Sequence, residues 1–498
     1  MATTAVATTP SGYLLVLAIM WPVAGILVAF VIGGRNVARV ASIVLPVGLA
    51  IAVAVLIAVI RDAQSQVYIA GNWAPPLGVA LRADGISAAM MMTTAIVICA
   101  TGFFAHGAFD QTPGLSEARA PLVFWILLFA IWSALNALVL GSDLFNLYVA
   151  LELLTFAAVP LVCLKGQKDT IEAALRYMLF ALIGSVLYLL GAVMIYGAYG
   201  TLDIGLLSAR VRVEPATWIA ASLMTVGLLA KTALFPLHLW LPPAHAGAPP
   251  PGSALLSALV VKGSFFLIVR IWFDALPGLL SFTAAQLLAT LGAGAILVGS
   301  VLALRQQRLK LLIAYSTIAQ IGYLFFIFPL VAGPPVGMDW NAQAWTGGWL
   351  QLFSHAFAKA AMFMAAGLIT EALGHDRIAD LDGIGRRLPI AMLAFALSGL
   401  SLVGVPPSGG FVAKAMLLVA TVMEGQWWWG VVIVVGGLLA GAYIFMVLGR
   451  LLAVPHAPLA LQGTVSRPRE LAALFLAVCA ILLGFVPLQP LELLQIGR

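Results

Sequence analysis

The chain is a succession of apolar runs of about 20 residues, separated by short segments rich in proline, glycine and charged residues. A run of that length forms a helix long enough to cross the roughly 30 Å hydrocarbon core of a bilayer. We place fourteen such spans and number them in chain order, near residues 12–32, 39–60, 83–104, 121–140, 143–164, 172–198, 216–240, 252–273, 282–303, 310–330, 347–371, 389–423, 426–452 and 470–488. The pattern therefore predicts an all-α polytopic membrane protein with about fourteen transmembrane helices.

Two of these spans contain proline where an uninterrupted helix would be disrupted. The seventh carries Pro236, and the twelfth carries the run GVPPSGG at residues 404–410. Proline lacks the amide donor of a helix and clashes with the preceding turn, so both spans should be broken. Because the two breaks lie five spans apart, they indicate an inverted repeat of the kind found in transporters.

This repeat divides the chain into four predicted regions. Residues 1–120 hold the first three spans, residues 121–275 form a first repeat of spans four to eight, and residues 276–455 form a second repeat of spans nine to thirteen. Residues 456–498 hold the fourteenth span.

Composition supports the membrane assignment and excludes several other classes of protein. The chain is 63% hydrophobic and 9% charged, whereas a soluble domain has about 25% charged residues. Its net charge of +6 is scattered rather than gathered into a patch, so we expect no nucleic-acid partner. Cys99, Cys163 and Cys479 match no disulfide, zinc or iron–sulfur spacing. We therefore expect no metal and no cofactor in this chain.

The distribution of basic residues predicts the orientation. If the N-terminus is outside, fourteen lysines and arginines fall in inner loops. Six then fall on the outer side, namely Arg61, Arg82, Arg210, Arg212, Arg270 and Arg498. Because basic loops stay on the cytoplasmic side, this asymmetry predicts that both termini are outside.

Charged residues inside the apolar spans carry the functional signal. Glu152, Lys231, Lys262, Lys359 and Lys414 all lie within predicted spans. Each costs about 2.5–3.5 kcal/mol at the centre of a membrane helix. Such residues usually mark an ion or proton path, which is therefore our working interpretation.

Four consecutive motifs carry a resemblance to a known family. They are KTALFPLHLWLPPAHAGAPPPGSALLSALVVKGSFFLIVR, RLKLLIAYSTIAQIGY, LFSHAFAKAAMFMAAG and LSLVGVPPSGGFVAKAML. Over about residues 80–455 the chain resembles the proton-conducting antiporter-like family. This family comprises membrane subunits of complex I, of Mrp-type sodium/proton antiporters and of energy-converting hydrogenases. The stretch SDLFNLYVALELL is most similar to the Mrp D-type subunit.

The resemblance implies a fold, a location and a set of partners. It implies fourteen helices with two inverted five-helix repeats, in the inner membrane of a bacterium. It implies other membrane subunits of a hetero-oligomeric complex as partners and protons as the transported ion, with sodium left open. It also places the proton-carrying positions at Glu152, Lys231, Lys262, His355, Lys359 and Lys414, and it makes His238 a candidate for proton uptake.

Each assignment has a structural alternative. A pair of Glu152 and Lys231 that opens would act as a gate, but the same pair could simply lock two helices together. His355 is four residues from Lys359, on the same helix face, and would relay protons unless a backbone carbonyl holds its ring. Lys414 is a candidate exit group, or else its side chain snorkels to the surface.

Neighbouring polar residues have simpler interpretations. We expect His245 to be a solvated or capping loop residue and Lys310 to be an inner-face anchor. Asp143 is expected to cap the fifth span.

The leading hypothesis is a proton-translocating subunit of a multisubunit Mrp-type cation/proton antiporter. The alternative is a proton-pumping membrane subunit of a complex I-like oxidoreductase or an energy-converting hydrogenase. The chain has no redox motif of its own, so in that case the redox chemistry would belong to partner chains. The sequence leaves open whether the chain works in an enzyme.

Overall fold

The computed structural model describes residues 7–33, 36–109, 119–331, 338–454 and 461–497. Two of the basic residues counted for the orientation, Arg35 and Arg498, lie outside the described residues. Within the described part, twelve helices are long and apolar enough to cross a membrane: Tyr13–Ile32, Val37–Asp62, Gly85–His106, Ala120–Leu140, Leu144–Val162, Lys168–Tyr199, Pro250–Ala275, Phe282–Leu304, Leu309–Val331, Asn341–Leu373, Trp427–Leu452 and Arg467–Phe485. These helices correspond to all predicted spans except the seventh and the twelfth. The prediction of an all-α polytopic membrane protein is confirmed.

The seventh and twelfth spans are the two broken ones. The seventh is a helix over Pro215–Thr232, then a non-helical stretch, then a short helix over Leu241–Gly247. The twelfth consists of two half-helices, Pro389–Val403 and Gly409–Met423. Gly404 ends the first half-helix in a left-handed conformation, with φ of 92°. Ser408 caps the second by accepting a hydrogen bond from the Phe411 amide at 3.2 Å.

Smaller elements connect the spans. A two-stranded antiparallel hairpin pairs Gln66–Ile69 with Ala80–Ala83 between the second and third spans, which the apolar pattern did not predict. Further short helices cover Ile204–Arg210 and Ile384–Arg387. Within the eighth span, α-helical segments at Pro250–Leu255 and Val261–Val269 are each followed by a π-helical turn, at Leu256–Val260 and Arg270–Ala275. Single 3₁₀ turns occur at Ala70–Asn72, Pro277–Leu279, Tyr323–Phe326, Ile378–Asp380, Leu483–Phe485 and Glu492–Gln495.

Burial separates central spans from peripheral ones. In the most apolar 18-residue stretch of each span, the share of buried residues is 94% in the eighth span, 89% in the tenth and 100% in the eleventh. It is only 28% in the first span and 33% in the second. The spans that carry Lys262 and Lys359 therefore form the centre of the protein. The exposed apolar faces of the first two spans are suited to lipid or to another membrane subunit.

The sixth and seventh spans approach each other closely where both have glycine. A Cβ atom at Gly184 would lie 2.6 Å from the Gly227 carbonyl oxygen, and one at Gly227 would lie 2.2 Å from that of Gly184. Such contacts are possible only without a side chain, as at small-residue interfaces in membranes generally. This packing brings the sixth span against the half-helix that carries Lys231.

The chain turns tightly between the fourth and fifth spans. Asp143 accepts hydrogen bonds from the amides of Phe145 and Asn146, at 2.9 and 3.1 Å. It therefore caps the helix that carries Glu152, as predicted.

Candidate functional site

Glu152 and Lys231 form a buried ion pair between the fifth and seventh spans. The Lys231 Nζ lies 2.8 Å from the Glu152 Oε1, and the two side chains are 14% and 5% exposed for Glu152 and Lys231 respectively. Lys231 lies in the last turn of its half-helix, one turn after Gly227, so the close packing of spans six and seven sets its position. The pair thus joins the broken span to an unbroken neighbour.

Two hydroxyl groups complete this ion pair. Lys231 also donates to the Thr155 hydroxyl at 2.9 Å, while the Ser185 hydroxyl donates to the Glu152 carboxylate. Thr155 lies on the fifth span and Ser185 on the sixth, next to Gly184. Each charged group therefore keeps a polar partner if the pair opens, which lowers the cost of separating two charges in a buried site.

Lys262 is completely buried near the middle of the eighth span. Its ammonium donates to the backbone carbonyl of Ser257, within the π-helical turn at Leu256–Val260. A π-helical turn shifts the backbone hydrogen-bond register and often occurs at functional sites. Lys262 and Lys231 share no hydrogen-bond partner among the described residues.

Lys359 is likewise completely buried, on the eleventh span. Its ammonium donates to the Ile313 carbonyl at 3.1 Å and to the Ser316 hydroxyl at 2.5 Å, both on the tenth span. Within the described part of the chain, Lys359 therefore has neutral partners and no carboxylate counter-ion.

His355 lies one turn before Lys359 and is 1% exposed. Neither of its ring nitrogens has a hydrogen-bonding partner among the described residues, and its ring is within electrostatic range of Lys262, Lys359 and Lys414. The alternative that a backbone carbonyl holds this histidine is therefore wrong. His355 is therefore a buried titratable ring near three lysines.

Lys414 binds the end of the first half-helix of the twelfth span. Its ammonium donates to the carbonyls of Leu402 and Val403, at 2.6 and 3.3 Å, and lies 4.4 Å from the centre of the Tyr323 ring. A helix C-terminus has unpaired carbonyls and a partial negative charge, which favour a cation. Because the residue is only 7% exposed, the alternative that its side chain snorkels to the surface is wrong.

A pair of glutamines connects the Lys414 site to the tenth and eleventh spans. Gln320 donates to the same Leu402 carbonyl at 3.1 Å and accepts a hydrogen bond from Gln351 at 3.0 Å. The Tyr443 hydroxyl lies close to Ser316 and Gln320 without a hydrogen bond of good geometry to either. A line of polar groups therefore runs from the Lys359 site to the Lys414 site.

The segment after the break in the seventh span differs from what the sequence indicated. His245 is completely buried, and its ring stacks on Phe363 with 4.5 Å between ring centres, so its prediction as a solvated or capping loop residue is wrong. The reason is that the short helix Leu241–Gly247 folds back against the sixth and tenth spans instead of remaining in a loop. Lys310, expected to be a surface anchor, is 6% exposed and donates to the Ala248 carbonyl at 3.3 Å. His238 is 6% exposed, beside the break.

Sequence reasoning identified the charged residues but missed the neutral ones that hold them. Thr155, Ser185, Ser257, Ser316 and Gln320 all contact the charged groups or their partners. Their one sequence signal is that they are polar side chains inside apolar spans. A single hydroxyl is common in membrane helices, so this signal is weak.

Comparison with known proteins gives consistent results. Residues 141–440 match the transmembrane family described as NADH:quinone oxidoreductase/Mrp antiporter. The NADH-quinone oxidoreductase subunit N of Desulforudis audaxviator is 33% identical over 405 residues, covering 80% of this chain and 77% of that protein. The D-type subunit of the Na(+)/H(+) antiporter of Bacillus subtilis is 28% identical over 360 residues, covering 72% and 70%.

A solved structure gives the same result for the fold. A chain of the Mrp complex from Dietzia superposes with a TM-score of 0.82 at 24% identity, covering 95% of this chain and 94% of that chain.

Proposed function

Because this chain belongs to the NADH:quinone oxidoreductase/Mrp antiporter transmembrane family, we propose that it is a proton-translocating subunit of a multisubunit Mrp-type cation/proton antiporter. The observation that carries the proposal is the burial of four lysines within apolar helices. Lys231, Lys262, Lys359 and Lys414 are all at most 7% exposed. Four buried ammonium groups are too costly to be kept for packing alone.

In the proposed mechanism the Glu152–Lys231 pair is the gate. While the pair is closed, the carboxylate holds the charge of Lys231. When it opens, Ser185 stays on the carboxylate and Thr155 stays on the ammonium, so Lys231 becomes free to release its proton. Because each partner keeps one hydrogen bond, opening the pair costs less free energy than it would in a site without these hydroxyls.

The remaining sites form the route. Protons arrive from the inner side near His238 and His245, pass Lys231 and Lys262, continue through His355 and Lys359, and leave past Lys414 toward the outside. The ammonium groups of Lys262, Lys359 and Lys414 donate hydrogen bonds to neutral backbone carbonyls, which suits groups that gain and lose a proton. His355 supplies a titratable ring between them.

The proposal includes an orientation and partners. Both termini lie outside a bacterial plasma membrane, supported by the excess of basic residues in the predicted inner loops. The partners are other membrane subunits of the antiporter, supported by the exposed apolar faces of the first two spans.

We also propose that spans four to eight and nine to thirteen form an inverted repeat. In both halves small residues bring a helix close to the lysine of the broken span. Gly184 and Gly227 do so beside Lys231, and a Cβ atom at Gly347 would lie 3.1 Å from the carbonyl oxygen of Ala413, the residue before Lys414. The sixth span thus packs on the seventh as the eleventh packs on the twelfth.

A second candidate function is supported by the sequence comparison. The identity to the NADH-quinone oxidoreductase subunit N of Desulforudis audaxviator, 33%, exceeds the identity to the Bacillus antiporter protein, 28%. In this alternative the same charged residues would form one proton channel in the membrane arm of a redox enzyme. Sodium as a second transported ion remains part of the first proposal only.

The test is to purify the complex in mild detergent, identify its subunits and reconstitute it in liposomes that contain a pH-sensitive dye. An antiporter moves protons when a sodium gradient is imposed, without any reductant. A redox arm moves none until electron donor and quinone are supplied, and it is accompanied by flavin or iron–sulfur subunits. Absence of proton movement under both conditions would refute the proposed function.

A further inference from the structure

We propose that Ser257 and Thr317 are positioning residues that couple the Lys262 site to the Lys359 site. This inference rests on the proposed proton route and adds two neutral residues to it. The Ser257 and Thr317 hydroxyls lie 2.9 Å apart, in direct hydrogen-bond contact between the eighth and tenth spans. Both residues are completely buried.

Each of the two residues is linked to a backbone carbonyl that accepts a hydrogen bond from a lysine. Ser257 itself provides the carbonyl that accepts from the Lys262 ammonium. Thr317 donates to the Ile313 carbonyl at 2.9 Å, and the same oxygen accepts from the Lys359 ammonium at 3.1 Å. The two lysines are therefore connected by four hydrogen bonds, linked at Ser257 through the covalent bonds between its carbonyl and its hydroxyl, and this connection crosses from one predicted repeat to the other.

The π-helical turn at Leu256–Val260 makes this connection possible. In this turn both polar groups of Ser257 form hydrogen bonds with other residues: the carbonyl binds Lys262 and the hydroxyl binds Thr317. Such a turn costs regular hydrogen bonds and tends to persist where it serves a site. A serine whose only role was packing would not need both groups directed at polar partners.

The consequence is that the two ammonium sites are held in a fixed relation. Lys262 has no other hydrogen-bond acceptor among the described side chains, so its position depends on the backbone at Ser257. If the hydroxyl contact is lost, the eighth span is free to shift relative to the tenth at this level. Proton passage between Lys262 and Lys359 should then slow.

The test uses Ser257→Ala and Thr317→Val, which remove one hydroxyl each and nearly preserve volume. The matched control is Ser264→Ala, because Ser264 is equally buried on the same span but donates only to the Val261 carbonyl of its own helix, at 3.3 Å. Sodium-driven proton transport by the reconstituted complex is measured between about pH 6 and 9, the range in which a buried relay group titrates, with the amount of inserted protein quantified for every variant.

We expect Ser257→Ala and Thr317→Val each to reduce transport about five- to tenfold, the equivalent of one buried hydrogen bond. The double variant should lose no more than either single one, because both remove the same contact. The conservative variants Ser257→Thr and Thr317→Ser should restore transport, and the pH profile should shift in the alanine variant but not in the Ser264 control. Unchanged transport, or independent losses that multiply, would overturn the proposal.

Lys231→Met in the same preparation separates this proposal from the proposed function. If Lys231→Met stops transport while Ser257→Ala and Thr317→Val are normal, the positioning role is refuted and the proton route stands. If Lys231→Met transports normally, the proposed route itself is refuted, and the positioning role with it.

Discussion

The close contact of the sixth and seventh spans allows a sharp test of the gate, through the substitution Gly227→Ala. The added methyl group would lie 2.2 Å from the Gly184 carbonyl oxygen, whereas ordinary contact begins at 3.4 Å. The two spans must therefore separate locally by about 1.2 Å. Backbone atoms cannot rotate away as a flexible side chain would, so the strain falls on the helix positions.

This separation acts directly on the ion pair. Lys231 lies one turn after Gly227, so its Nζ can move from 2.8 Å to about 4 Å from the Glu152 carboxylate. At an effective dielectric constant of about 20, the attraction between two unit charges then weakens by about 2 kcal/mol. That corresponds to more than a tenfold change in the balance between closed and open pair. Overpacking should also lower stability by about 1–3 kcal/mol.

The assay is sodium-driven proton transport by the reconstituted complex, normalised to inserted protein. We expect Gly227→Ala to lose at least nine-tenths of the transport rate while the protein still inserts. The control is Gly197→Ala in the sixth span, because a Cβ atom there would meet nothing within 4 Å. If Gly227→Ala transports as well as the control, the packing of spans six and seven does not set the gate.

Two further predictions concern the ends of helices. Asp143→Ala removes the cap of the fifth span and should lower the melting temperature of the solubilised protein by the equivalent of about 1 kcal/mol, with transport retained; an unchanged melting temperature would show that the cap contributes nothing. Lys414→Met leaves the Leu402 and Val403 carbonyls without their ammonium donor and should stop transport in the reconstituted complex. Retained transport in that variant would remove Lys414 from the route.

Much of the fold could be predicted because membrane helices need long apolar runs. Those runs located the twelve described helices that are long and apolar enough to cross a membrane, and the prolines at 236 and 406–407 located the two broken helical regions. The hairpin of Gln66–Ile69 and Ala80–Ala83 was missed because two four-residue strands give no clear periodic pattern in a connecting segment. The π-helical turns were missed because no residue type is required for them.

The sequence predicted the charged side chains of the site but not the neutral groups that bind them. A lysine in an apolar span is conspicuous because it is costly, so sequence alone could identify Lys231 and Lys414. The carbonyls that hold Lys262 and Lys359 belong to residues distant in sequence or freed by an irregular turn, and only the folded arrangement reveals them. His245 was misassigned because the motif LPPAHAGAP looks like an inner loop, whereas its short helix packs inside the protein.

The most direct test of the proposed route is proton transport by the reconstituted complex with Lys231→Met, compared with Lys168→Met. Lys168 lies at the start of the sixth span, its side chain is 88% exposed, and it has no role in the proposed route. We predict that Lys231→Met abolishes sodium-driven proton movement while Lys168→Met leaves it unchanged. Equal transport in the two variants would contradict the claim that protons pass through the gate at Lys231.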